Sequence, residues 1–188
     1  QMGLEDLAIF RSIINSIILY PSDAVSSEKL TCLMANHRGI SYLRTTRPKT
    51  AVLYDNNEEF SLCGSKVLRQ SKSDKSTIIA AGFALHEALK AYNMLKEEGI
   101  MTRIIDCYSI KPLDEETLRE ASEETGRIIT VEDHYAEGGL GEAIASLSLK
   151  PHILAVRKMP HSGSPEKLYS EQEIDAESIT RKVKEIVG

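Results

Sequence analysis

The sequence has no long apolar run. Its richest stretch, around Ile13-Ile14 and Ile17-Ile18-Leu19, is broken by Asn15 and Ser16 and falls well short of the ~20 residues of a membrane-spanning helix. No membrane partner is therefore expected. Cysteine is scarce: Cys32, Cys63 and Cys107 are odd in number, far apart and outside any C-x-x-C spacing. That argues against a disulfide framework or a zinc site and reads as buried thiols in a reducing compartment such as the cytoplasm. Basic excess is also missing, because 23 Lys+Arg against 28 Asp+Glu leave a net charge of -5. A polyanion-binding protein reads more basic than this, so no nucleic-acid partner is expected. The histidines His37, His86, His134, His152 and His161 include no H-x-x-x-H pair, and no metal ligand is assigned in this chain. The sequence opens at Gln1 without an initiator Met or a basic-then-apolar signal segment, and is expected to be a fragment of a longer protein.

What is present fits a soluble globular chain. Apolar residues make up 41% and charged residues 27% of the 188 residues, a balance that supports a sizeable core. Leu4, Leu7, Ala8 and Arg11 share one helical face, with Glu5 and Asp6 at the dipole-favoured start, so a helix is expected over 2–12. The unalternating apolar stretch 16–20 predicts a strand covered on both faces. Pro21-Ser22-Asp23 offers a stop and N-cap candidates for a helix running to about Asn36. A strand over 40–43 then ends at Thr45-Thr46-Arg47-Pro48, where Pro48 forces Arg47 into extended backbone.

The polar stretch Asp55-Asn56-Asn57-Glu58-Glu59 is the best linker candidate and sets an expected boundary near residue 57. Beyond it, strands are expected over 66–69, 77–81, 102–105, 127–131 and 152–156. Helices are expected over 84–98, 115–124, 141–149 and from Asp175 to the end. Such alternation requires crossovers that cover both sheet faces, so the expected fold is a three-layer α/β domain with a mostly parallel sheet, preceded by an incomplete α/β unit.

Arg47 has the strongest case for chemistry, since it follows a strand at its carboxyl end, where open α/β sheets bind ligands. Its forked, permanently charged guanidinium suits a phosphate. Arg44, still inside the strand, reads as structural. Gly138-Gly139-Leu140-Gly141 sits between a strand and a helix, the context of a phosphate loop, but lacks the G-x-G-x-x-G spacing. Glu132, Asp133, Glu137 and Glu142 surround it and would repel an anion, so the glycines read as permitting a tight turn. His134 beside Asp133 is expected to make a structural hydrogen bond, because adjacent residues of extended chain point apart.

Three ordered strings carry a resemblance. Gln1-Met2-Gly3-Leu4-Glu5-Asp6-Leu7-Ala8 with Tyr20-Pro21-Ser22-Asp23 and Arg44-Thr45-Thr46-Arg47-Pro48 is the first. Ile105-Asp106-Cys107-Tyr108-Ser109-Ile110-Lys111-Pro112-Leu113-Asp114 is the second, and Thr130-Val131-Glu132-Asp133-His134-Tyr135-Ala136-Glu137-Gly138-Gly139-Leu140-Gly141-Glu142-Ala143 the third. Together they resemble the C-terminal part of transketolases of the animal type. The resemblance implies that 1–57 is the end of a thiamine diphosphate pyrimidine-binding domain and 58–188 the transketolase C-terminal domain.

It further implies a cytoplasmic homodimer of the pentose phosphate pathway that moves a two-carbon ketol unit between sugar phosphates. Thiamine diphosphate and a divalent cation, magnesium or calcium, would serve the intact enzyme. By the same resemblance Gln1 matches a cofactor-contacting glutamine and Arg47 the arginine that holds the substrate phosphate. The activating glutamate and the diphosphate-metal site lie upstream in the family, so no catalytic residue is assigned here, the chain alone is expected to be inactive, and no cofactor is expected on it. His161-Ser162-Gly163 departs from the family's R-S-G turn. Two other readings remain: a non-catalytic assembly or regulatory module, and a free-standing nucleotide-binding protein, against which the acidic glycine loop counts.

Overall fold

A computed structural model of the chain describes residues 3–188. The first unit runs α1 (Asp6–Ser12), β1 (Ile17–Leu19), α2 (Ala24–Ala35) and β2 (Ser41–Leu43). α2 begins where Asp23 accepts the Ser26 amide and the Ser26 hydroxyl answers the Asp23 amide, a reciprocal cap that fixes the helix start. β1 and β2 pair in parallel, Ile17 opposite Ser41 and Leu19 opposite Leu43.

The remainder comprises β3 (Lys66–Arg69), β4 (Thr77–Ala80), α3 (Phe83–Glu97), β5 (Arg103–Asp106), β6 (Ser109–Lys111), α4 (Glu115–Thr125), β7 (Ile128–Tyr135), α5 (Leu140–Ala145), β8 (His152–Val156), α6 (Pro165–Glu171) and α7 (Ala176–Val187). Five strands form one sheet in the order β3-β5-β4-β7-β8, parallel except for β3. Successive residues of β4 face opposite sides. Ile78 and Ala80 pack with Leu85, Leu95, Ile179 and Val183 of α3 and α7, whereas Ile79 packs with Leu118 and Ala121 of α4 and Leu140 and Ile144 of α5. That period-two division is the three-layer α/β fold expected from the sequence.

The second sheet, β2-β1-β6, crosses between the two parts of the chain. β6 runs antiparallel to β1, with Leu19 opposite Ser109. This strand was not anticipated, because Cys107-Tyr108-Ser109-Ile110 is too short for a period and ends at Pro112. Its partner lies some ninety residues away, and only tertiary pairing makes it a strand. Among the described residues no strand pairs with the other side of β2, and Ile9, Ile14 and Ile40 are exposed nearby.

Three further expectations are corrected. β7 extends four residues past Val131, through Glu132, Asp133 and His134, all of them buried. α5 stops at Ala145 rather than near Leu149. α6 appears where no helix was expected, started by Ser164, which accepts the Lys167 amide, and by Pro165 in the first turn. The cysteines also differ from the buried set expected: Cys107 is buried, but Cys32 on the outer face of α2 and Cys63 in the turn before β3 are exposed.

Candidate functional site

The parallel strands β1 and β2 both end, at their carboxyl termini, in a cleft of about 350 Å³. One wall is the turn into α2, with Ser22, Asp23 and Ser27. The other is the segment after β2, with Thr45, Thr46, Lys49 and Thr50. Residues 45–52 form neither helix nor strand and border the cleft as a strap. Arg47 is exposed within this strap, between the lining residues Thr46 and Pro48. Gln1, the expected cofactor contact, lies outside the described residues.

The positive end of α2 is partly used up internally. Oδ1 of Asp23 accepts the Ser26 amide at 2.7 Å, and Oδ2 accepts the Leu53 and Tyr54 amides at 2.7 and 3.1 Å. Burial alone would raise the Asp23 carboxyl, but these hydrogen bonds outweigh it and the group is held below its ordinary value. A carboxylate at the cap competes with any anion for the first-turn amides. Among the residues lining the cleft the cation is Lys49, and Arg47 lies in the same segment between Thr46 and Pro48.

Beneath the strap lies Asp106, fully buried at the end of β5. The Tyr54 hydroxyl donates to its Oδ2 at 2.6 Å and the Ser22 hydroxyl to its Oδ1 at 3.0 Å. Burial, reinforced by the nearby Asp23 charge and opposed by these two donors, pushes its carboxyl up to about 7.

At the other end of the strap, Arg44 is 4% exposed. Its Nη1 donates to Asp133 Oδ1 at 2.8 Å, its Nη2 to the Asp133 carbonyl at 3.0 Å, and its Nε lies 3.2 Å from Asp6 Oδ2. The guanidinium also sits 4.8 Å from the centre of the Tyr20 ring. Burial by itself would weaken the charged form, yet Asp133, Tyr20 and Asp6 raise the arginine above its ordinary value, so it stays cationic. Asp133 is saturated in turn, since Tyr20 and Tyr169 hydroxyls donate to Oδ2 at 2.8 and 3.0 Å. The structural reading of Arg44 is what the geometry displays.

The glycine loop spends its amides on its own chain. Glu132 accepts from Leu140 at 2.6 Å and from Gly141 at 2.9 Å, and Glu142 accepts from Gly138 at 2.7 Å. Gly139 donates to the Ala136 carbonyl. Gly138 has φ +73°, and a Cβ there would lie 2.4 Å from that of Ala8; one on Gly139 would lie 2.0 Å from a Glu132 oxygen. The glycines thus make room for a tight turn and an internal carboxylate. His134 is bonded away from Asp133: Nε2 accepts the Ala8 amide at 3.4 Å, and Nδ1 lies 2.6 Å from the Tyr135 carbonyl. Burial first and the Arg44 charge after it lower its pKa despite the Tyr135 contact, and this favours the neutral ring.

Among the described residues no cluster of three or more His, Cys, Asp or Glu is arranged to hold a metal ion, and no helix is long and apolar enough to cross a membrane. The amides of Gly138, Gly139, Leu140 and Gly141 are all taken within the chain. Asp106 and Tyr54 escaped sequence reasoning, and Asp133 was read only as part of the acidic surround of the glycine loop and as the neighbour of His134, because nothing local distinguishes them from surface polar residues. The one available signal was Arg44 directly after a strand and expected inside it, since a buried guanidinium demands a carboxylate partner.

Comparison with known proteins agrees with the strings quoted above. The family model of the transketolase C-terminal domain matches residues 65–179. Mouse transketolase-like protein 2 is 51% identical and human transketolase 47% identical over the whole of this chain, which covers 31% of the length of each. The chain thus spans about a third of these curated relatives. Among solved structures, one described as a split gene transketolase, an inactive β4 tetramer, superposes with a TM-score of 0.92 at 30% identity, covering 98% of this chain and 62% of that one. Transketolase from Campylobacter jejuni, at 19% identity and a TM-score of 0.80 over 98% of this chain and 28% of its own, shares the fold. The chain belongs to the transketolase family and contains its C-terminal domain.

Proposed function

We propose that this chain is the C-terminal portion of a transketolase and that its own contribution to ketol transfer is to receive the phosphate end of the sugar substrate. The observation that supports this reading is the cleft at the carboxyl ends of β1 and β2, walled by a strap that carries Arg47 and Lys49. An arginine there offers a fork of donors to a phosphate while hydroxyls of Thr45, Thr46 and Ser27 line the same space. Residues 1–57 act as the end of the pyrimidine-binding domain and 58–188 as the C-terminal domain. The intact protein is a cytoplasmic homodimer of the pentose phosphate pathway, and Gln1 is its cofactor contact within this chain. Thiamine diphosphate and its magnesium or calcium ion are held by residues outside the described ones. The chain alone carries no ketol-transfer activity.

Arg47→Ala in the full-length protein tests this reading. Losing charged hydrogen bonds of about 1.5 to 3 kcal/mol raises KM for phosphorylated ketoses roughly ten- to a hundredfold, with little effect on unphosphorylated donors. Equal losses for both kinds of donor remove Arg47 from the phosphate role.

A second reading, a non-catalytic assembly module, draws on the split-gene neighbour, a protein described as inactive and tetrameric. Mixing this chain with a separately supplied upstream portion separates the two, because recovered ketol transfer excludes a purely structural role.

A further inference from the structure

The strap is tied at both ends by carboxylates of the five-stranded sheet that do not line the cleft, and at its far end also by Asp23, whose Oδ2 accepts the Leu53 and Tyr54 amides at 2.7 and 3.1 Å. At its start Arg44 is bound to Asp133 of β7 at 2.8 Å. At its end the Tyr54 hydroxyl is bound to Asp106 of β5 at 2.6 Å. The Tyr54 ring is buried and meets Phe60 edge-on at 5.0 Å, which fixes the direction in which the hydroxyl points. The Ser22 hydroxyl, from the opposite wall of the cleft, donates to the other oxygen of Asp106 at 3.0 Å. One buried carboxylate thus bridges the two walls from below.

A segment without helix or strand has many conformations, and pinning both ends removes most of them. Between the anchors at 44 and 54, residues 45–52 have no ladder of their own. The anchors therefore limit where the strap, and Arg47 with it, can lie. A ligand that meets a guanidinium already in place does not have to order it, and this lowers the cost of binding.

We propose that Asp106, acting through Tyr54, is a positioning residue that holds the Arg47 strap beside the cleft and so sets affinity for the phosphate of the substrate. The inference rests on the phosphate reading of Arg47 given above. It assigns the C-terminal domain a direct part in substrate selection, since β5 belongs to the region matched by the family model.

The test uses the full-length protein and four variants: Tyr54→Phe, which removes only the donating hydroxyl; Asp106→Ala; Asp106→Asn, which keeps an acceptor for Tyr54; and Arg47→Ala. The quantity read is the ratio of KM for a phosphorylated ketose to KM for an unphosphorylated one, with competitive inhibition by inorganic phosphate as a second readout and thermal melting beside both. The ratio rises about three- to tenfold in Tyr54→Phe and Asp106→Ala, phosphate inhibition weakens by a similar factor, and Asp106→Asn returns both toward wild type. A lowered melting temperature with an unchanged ratio in Tyr54→Phe reduces Asp106 to a core residue and overturns the inference. If Arg47→Ala shifts the ratio and Tyr54→Phe does not, the inference alone fails. If Arg47→Ala leaves the ratio unmoved, the phosphate reading fails and the inference falls with it.

Discussion

Arg44 at the end of β2 and Asp133 in β7 are 89 residues apart in sequence, yet they share a 2.8 Å charged hydrogen bond in the interior. Each is also bonded to the other's surroundings, Arg44 to Asp6 and Asp133 to Tyr20 and Tyr169. The pair joins the ends of β1 and β2 to β7 across the two sheets and ties in α1 and α6. A buried pair of this kind stabilises little against an apolar substitute, but breaking it from one side strands a charge.

Arg44→Met is accordingly expected to destabilise the protein by roughly 3–5 kcal/mol, since Asp133 is left with only its two tyrosine donors. Adding Asp133→Leu to Arg44→Met costs less than the sum of the two single changes, because the second removes the stranded charge. Urea unfolding of the three variants measures this coupling. Strict additivity would show that the pair is not energetically linked.

The glycine loop gives a second expectation. Its amides are filled by Glu132 and Glu142, so millimolar ATP or NAD causes no thermal shift. Glu132→Gln presents an amide donor to one of two backbone donors and costs about 1–3 kcal/mol. Gly139→Ala destabilises by a similar amount, roughly 1–3 kcal/mol of overpacking, because its Cβ would meet Glu132 and the Tyr135 carbonyl. Saturable nucleotide binding that vanishes in either variant would reverse this account of the loop.

Thiol chemistry provides a third. Cys32 is exposed and reacts first with iodoacetamide. Cys63 is also exposed, but burial and the nearby Asp114 raise its pKa, and its Sγ donates to the Leu113 carbonyl at 2.9 Å, so it reacts more slowly. Cys107 is buried, its pKa is raised further, and it reacts only on unfolding. Peptide mapping of the alkylated protein gives the order, and early labelling of Cys107 would contradict its burial in the core cluster with Ile79, Ile105 and Ile110.

Helices and strands that announce themselves by caps and apolar runs were legible in the sequence. Asp23 before α2 and Asp175 before α7 cap the helices they were read to start, and Asp114 caps the helix expected over 115–124. The parallel sheet followed from alternation. The misses share a physical cause, which is that pairing at long range overrides local pattern. Glu132, Asp133 and His134 resemble the start of a loop, yet they extend β7 because each finds its partner in another element. β6 is a strand only because β1 lies beside it. At the site, Arg47 could be singled out by its place after a strand, whereas the buttress of Asp106 and Tyr54 depends on a contact across 52 residues that no local window contains.

The last expectation concerns pH. The Asp106 carboxyl rises from an ordinary 3.8 to about 7, through burial first and the Asp23 charge after it. Such a group keeps its proton in the folded protein where the unfolded chain has lost it. Its contribution to stability is therefore complete below about pH 4 and is lost as pH climbs through about 7. Asp106→Asn resembles the protonated acid and cannot ionise, so the variant escapes that loss. The stability of the variant minus that of the wild type should grow between pH 5 and 7.5, by at most about 1.4 kcal/mol per pH unit, and level off above. Glu132, pushed up to about 8 by burial, acts in the same direction but is common to both proteins and cancels in the difference. Asp23 is held below its ordinary value and titrates beneath this window. Urea unfolding at five pH values measures the difference. A gap that stays flat, or narrows as pH rises, would mean that Asp106 is ionised throughout and that the Tyr54 and Ser22 donors outweigh its burial.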